Sequence, residues 1–281
     1  MENKILDSIG IFKRYISTKS DMEYGLLYES EFTIDEIDYA KKRMVRVYLP
    51  DGYNHFDKDT KYSVIYFSDG QNLVDTYLSS YGKWDIDKHL KDLNVKLICV
   101  GVDSAYLDEY RNRELCPPEK PYYFKKYENT YLDKYCSFIF NRLKPIIDKT
   151  FNVYTDKPHT AVGGSSMGGL SSFYMGIKYK DIVGYSLCFS PAFLLYKNEE
   201  LDYYLKKFKV NPKDFGKFYF FVGGVEFEAR FVSKTFKVFK HLKQIGFTND
   251  QIALVYDSTQ KHEEKAWRKY FKDAIRFWGI K

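Results

Sequence analysis

Short apolar runs punctuate this chain, and between them apolar residues recur at helical spacing. Residues 62–67, 96–102, 160–163, 184–189, 218–222 and 251–256 predict strands, several of them apolar enough to be buried on both faces. Residues 84–93, 131–149, 167–179, 227–245 and 263–278 predict helices, and 198–210 is a shorter amphipathic segment. Such alternation predicts an α/β fold with a mostly parallel central sheet and helices on both faces. The first strands differ. Residues 26–34 and 43–49 can form an antiparallel hairpin through the charged connection 35–42, and residues 1–25 read as an N-terminal extension. Residues 103–127 are polar and Pro-containing, which predicts an excursion over the C-terminal edge of the sheet. Pro145 should bend or restart the helix around it, because its ring removes a donor and clashes with the preceding turn.

Composition narrows the picture only a little. A length of 281 residues with 44% apolar content suits a single domain over 1–281 with a sizeable core. The 27 Tyr and 23 Phe reflect a composition rich in Tyr, Lys, Asn and Phe, and some of them can line a cleft. The formal charge of +6 is mild and dispersed, so no nucleic-acid partner is expected. Cys99, Cys116, Cys136 and Cys188 form no CxxC pair and stand at no zinc spacing with a histidine. The first residues carry Glu2, Lys4, Asp7, Lys13 and Arg14 without an apolar core, and no run could span a membrane, so a cytoplasmic location is expected. Oligomeric state is not legible.

The chemistry concentrates in Gly163-Gly164-Ser165-Ser166-Met167-Gly168-Gly169. Gly164-x-Ser166-x-Gly168 is the pattern of a nucleophile elbow, a sharp strand-to-helix turn whose flanks must be small because neighbouring backbone comes close. The triad order in such folds is serine, acid, histidine, so the base must follow Ser166. His241 falls inside a helical pattern and reads as a solvent-facing residue. His262 falls in the loop between the last strand and the last helix, where a base belongs. The acid should follow the strand 218–222, in Gly223-Gly224-Val225-Glu226-Phe227-Glu228. Glu226 is the first candidate, Glu228 the second, and Asp257 an outsider. A carboxylate here could instead serve only the helix dipole, more so for Glu228. An oxyanion hole needs two backbone N–H donors. Met167, next after the serine, supplies one, and Gln71, in the loop Ser68-Asp69-Gly70-Gln71-Asn72, supplies the other.

Beyond the elbow, Val47-Tyr48-Leu49-Pro50-Asp51-Gly52-Tyr53, Val64-Ile65-Tyr66-Phe67-Ser68-Asp69-Gly70-Gln71-Asn72, Trp84-Asp85-Ile86 and Ser190-Pro191-Ala192-Phe193 occur in a characteristic order. With them the chain resembles the bacterial putative-esterase family of α/β-hydrolases, over roughly residues 43–278. That family includes enterochelin, feruloyl and acetyl-xylan esterases and the mycolyltransferases. The resemblance implies Ser166 as nucleophile, His262 as base, Glu226 as acid, and Gln71 as an oxyanion donor. It makes Arg111, in Arg111-Asn112-Arg113-Glu114-Leu115, and Trp84 substrate-binding candidates. The implied activity is hydrolysis of a small soluble ester, such as an acyl-sugar, a feruloyl-type or a siderophore-type ester, with no metal or organic cofactor. An acyltransferase would use the same triad, and a non-catalytic binding module could share the scaffold. The loops 103–127 and 191–198 are expected to hold substrate preference.

Overall fold

The computed structural model describes residues 5–79, 81–105, 107–127, 129–207 and 211–281. Among the described residues, ten strands, numbered in chain order, form one sheet in the order β1-β2-β3-β4-β6-β5-β7-β8-β9-β10. The parallel part is β6 (Leu97–Val102), β5 (Ser63–Ser68), β7 (Thr160–Ser165), β8 (Tyr185–Phe189), β9 (Lys217–Gly223) and β10 (Ile252–Asp257). β3 (Leu26–Thr33) and β4 (Lys42–Leu49) pair antiparallel, and β4 joins β6 antiparallel as well. The mostly parallel sheet with an antiparallel N-terminal part is therefore present. The stretch read as an extension does more than expected. β1 (Ser8–Ile9) and β2 (Phe12–Arg14) add two strands to the sheet edge, anchored by Phe12, which is fully buried.

Alternating side chains on the central strands feed two cores. Val64 and Tyr66 face one core, while Ile65 and Phe67 face the other. The first core is closed by α3 (Leu132–Ser137), α4 (Lys144–Thr150), α5 (Met167–Lys178), α6 (Asn198–Lys207) and α7 (Ala229–Gln244). The second is closed by α1 (Ile86–Leu93) and α8 (Glu264–Trp278). Pro145 restarts its helix as expected. Just before it, residues 138–143 form a π-helical segment leading into α4. A proline without an N–H cannot hold the ordinary ladder there. The polar excursion holds a short helix, α2 (Asp108–Glu114), and a 3-10 turn, Tyr122–Phe124. The predicted amphipathic segment 198–210 appears as α6, and its last three residues lie outside the described residues. No helix among the described residues is long and apolar enough to cross a membrane.

Candidate active site

Ser166 stands between β7 and α5 with φ 58° and ψ −117°, a backbone region that costs a residue with a side chain. The turn is held from both sides. The Ser166 amide donates to the Phe189 carbonyl at 2.9 Å, and the Ala192 amide donates to the Ser166 carbonyl at 3.1 Å. The small flanks are a steric requirement. A Cβ on Gly164 would lie 2.7 Å from the backbone of Gly168. Met167 is the first residue of α5, so its N–H has no acceptor within the helix and is free to face a ligand.

Gln71 lies in a 3-10 turn, Gly70–Asn72, that follows β5 and is entered through Asp69 at φ 58°. This turn sits against the elbow, with Ser68 3.4 Å and Asp69 3.6 Å from the position a Gly168 Cβ would take. The Gln71 side chain is turned away to Ser104, donating to its hydroxyl at 2.9 Å and accepting from its amide at 3.1 Å. Its backbone is thereby pinned while its side chain stays out of the cleft.

His262 follows β10 in the loop before α8. Its Nδ1 is hydrogen-bonded to the Glu228 carboxylate. Glu228 is fully buried, and its other oxygen accepts from the Gly223 amide at 2.8 Å and the Ser190 hydroxyl at 2.5 Å. Gly223 must be glycine for this to happen, since a Cβ there would meet Glu228 Cγ at 2.8 Å and the Gln260 carbonyl at 2.4 Å. The imidazole is stacked on Phe231 at 4.5 Å and meets the edges of Phe227 and Trp267 at 5.3 and 5.1 Å.

The structure corrects three expectations. Glu226 is not at the histidine. It is two-thirds exposed and paired with Lys261 at 2.6 Å. The reason is local geometry. Gly224 and Val225 both donate to the Gln260 carbonyl, which carries the chain across the histidine loop before it coils into the 3-10 turn Glu226–Glu228. In such a turn, residues two apart point to different sides. Glu228 then points inward and Glu226 outward. Asp257 is engaged by Lys269 at 2.9 Å and by Tyr270 and Thr259, away from His262. Trp84 is 3% exposed and packs among Phe67, Phe189, Trp267 and Phe271, so it is a core residue. Arg111 makes two 2.6 Å hydrogen bonds to Asp69, and Glu114 pairs with the buried Arg43 on β4. The Arg-x-x-Glu segment thus staples α2 to the Gln71 turn and to the sheet, with two nitrogens of its arginine committed to Asp69.

A cavity of about 360 Å³ opens at the elbow. Ser166 and Met167 form its floor, and Tyr122, Tyr123, Phe227 and Phe231 give it aromatic walls. Phe124, Ala192, Leu194 to Lys197, Arg230 and, from α2, Asn112 also line it, so the loops 103–127 and 191–198 both reach this cavity. Phe227 and Phe231 line this cavity and also contact the His262 ring, so they connect the imidazole to the wall of the space above Ser166. Tyr122 to Phe124 fall within the loop 103–127, but Phe227, Phe231 and Trp267 were not singled out in the sequence, and Ser190 was visible only as part of its motif.

This sheet order, with a strained serine at the strand-to-helix elbow and a histidine loop beyond the last strand, defines the α/β-hydrolase class. Within it, the family model described as "Putative esterase" matches residues 38–277, and the chain belongs to that family of carboxylic ester hydrolases. A Bacillus subtilis (strain 168) protein, the uncharacterized YbbA, is 23% identical over 85% of this chain and 93% of its own length. An endo-1,4-beta-xylanase/feruloyl esterase of Xylanibacter ruminicola is 24% identical over 91% of this chain, which spans 31% of that protein. Among solved structures, a ferulic acid esterase superposes with TM-score 0.65 at 15% identity, covering 89% of this chain and 96% of that one. The enterobactin esterase FES of Shigella flexneri, in the presence of 2,3-di-hydroxy-N-benzoyl-glycine, gives TM-score 0.66 at 16% identity, covering 90% and 59%.

Proposed function

We propose that this esterase cleaves a small ester with an aromatic acyl group through an acyl-enzyme on Ser166. His262 takes the serine proton as the oxygen attacks the carbonyl, and Glu228 holds the imidazole tautomer and stabilises its charged form. The amides of Met167 and Gln71 receive the developing oxyanion. The alcohol departs with a proton from His262, and water activated by the same base releases the acid. The observation that carries the aromatic preference is the cavity over Ser166, whose walls are Tyr122, Tyr123, Phe227 and Phe231. Flat aryl groups fit such walls by stacking and edge contacts. Feruloyl-type and catecholate siderophore-type esters both carry such a group, and similar proteins are named a feruloyl esterase and an enterobactin esterase. The four thiols are free and buried, in keeping with a reducing cytoplasm as the site of action.

The test is turnover of methyl ferulate, a catecholate ester and 4-nitrophenyl butyrate by the wild type, Ser166→Ala and Ser165→Ala. We expect aryl esters to be preferred and Ser166→Ala to lose at least ~10³-fold in kcat, on the scale of triad knockouts. Ser165→Ala should lose far less. Turnover that survives in Ser166→Ala would remove the assigned nucleophile, and a preference for the butyrate would remove the aromatic substrate.

A further inference from the structure

Ser190 follows β8 directly and begins the Ser190-Pro191-Ala192-Phe193 motif, to which the acyl-transfer scheme gives no part. It is fully buried and sits at φ 43°, a left-handed conformation that a residue with a side chain adopts at a cost. Glycine would adopt that conformation freely, so a reason to keep the hydroxyl must lie in what it touches. It touches two groups. Its oxygen accepts from the Trp267 indole N–H at 2.9 Å, and its proton goes to Glu228 Oε1 at 2.5 Å. The direction of this chain is fixed by chemistry. An indole N–H can only donate and an ionised carboxylate can only accept, so the serine proton must point to Glu228. Trp267 also meets the His262 ring edge-on at 5.1 Å, so one side chain touches both ends of the array.

We propose that Ser190, polarised by Trp267, is a positioning residue that sets how strongly Glu228 attracts the proton of His262, and thereby the pH range in which the base works. This rests on the assignment of His262 and Glu228 above. A hydroxyl donating to a carboxylate withdraws part of its charge. Without that donor the carboxylate stabilises imidazolium more strongly, and the histidine becomes harder to deprotonate. Charged groups on the elements that meet here include Glu226 with Lys261, Arg230 on α7, Glu263, Glu264, Lys265 and Arg268 at the start of α8, and Asp257 with Lys269. Asp69, paired with Arg111, lies on the turn after β5. None of them is changed by substitution at Ser190.

The experiment is the pH profile of kcat/KM for the wild type, Ser190→Ala, Ser190→Gly and Trp267→Phe. Ser190→Gly relieves the backbone cost while deleting the hydroxyl, so it keeps the test valid should Ser190→Ala fold poorly. Activity needs neutral imidazole, so the rising limb should move to higher pH, by ~0.5 to 1 unit in both Ser190 variants. Their kcat should fall ~3- to 10-fold with KM nearly unchanged. Trp267→Phe should shift the limb the same way by a smaller amount. A limb in Ser190→Gly that coincides with the wild type would overturn the proposal, because a purely structural serine would alter stability and leave the midpoint alone. A Ser190 shift without any Trp267 shift would overturn the indole's share. Failure of the underlying assignment looks different, since His262→Ala would then retain turnover.

Discussion

The two sides of the cleft are built on opposite principles. On the acid–base side every polar atom of Glu228 is engaged, by His262, Gly223 and Ser190, and the carboxylate is shut away from solvent. On the acyl side the walls are large and open, with Tyr122 53% and Tyr123 62% exposed. Lys197 lies over the Tyr122 ring at 3.6 Å, a contact on the open side of the cavity. A buried carboxylate surrounded by donors has one low-energy arrangement, because losing a partner costs its full desolvation. An exposed aromatic wall has many arrangements of similar energy. On the proposed reading, the difference teaches that the acid–base network is held by a saturated interior, whereas the exposed walls Tyr122 and Tyr123 are the part of the cavity that can be exchanged with least disturbance to it.

Substitutions can break this contrast at its strong end first. Glu228→Gln keeps the shape of the acid but replaces an acceptor oxygen with a donor facing Nδ1–H. We expect kcat to fall ~10²- to 10⁴-fold, in the range seen when the orienting acid of a triad is neutralised. Glu226→Gln, two residues away on the outside of the same turn, should change kcat less than ~2-fold, since an exposed pair with Lys261 contributes little. Equal losses in the two variants would mean that burial and hydrogen bonding do not distinguish them.

The acyl side should respond in a different currency. Tyr123→Ala removes a wall that touches neither His262 nor Ser166. Its effect should fall on KM, rising ~3- to 10-fold for an aryl ester and less for a butyrate, with kcat retained. A drop in kcat alone, seen for both substrates, would show that this wall is coupled to the chemistry.

The smallest effect tests whether burial without donors behaves as the contrast implies. Glu264, at the start of α8, is buried, with a long side-chain hydrogen bond, 3.3 Å, from Asn72. Desolvation pushes its carboxyl up to about 7. Between its ordinary value and about 7, the folded protein holds a proton that the unfolded chain has released. Stability from this group is therefore full at acid pH and lost as pH rises through that window. Glu264→Gln removes the penalty while keeping an acceptor for Asn72. Thermal unfolding should show it stabilised by on the order of 1 kcal/mol at about pH 8, with no gain at about pH 4. A gain of the same size at both values would assign the effect to packing.

Much of this protein was legible before any coordinates. Alternating apolar runs and helical spacing marked the parallel sheet, because burial on two faces requires continuous apolar strands, and the described strands overlap those runs closely. The elbow was legible because its geometry tolerates only small residues around Ser166, a constraint that composition alone displays. The loop position of His262 followed from chain order. What sequence could not decide were matters of direction and distance. Glu226 and Glu228 differ by two positions, and only the 3-10 turn that follows Gly224 and Val225 determines which of them faces inward. Trp84 and Arg111 have side chains that suit a ligand equally well. One is walled in by Phe67 on β5, Phe189 on β8, and Trp267 and Phe271 on α8, and the other is held by Asp69 from the turn after β5. The short strands β1 and β2 carry too few residues for a periodic signal, and they become strands only because β3 offers an edge. The Trp267–Ser190–Glu228–His262 array joins residues 190, 228, 262 and 267. Local sequence sets the conformations each segment can adopt. Which donor meets which acceptor across those separations is decided when the sheet brings the ends of β8, β9 and β10 to one edge.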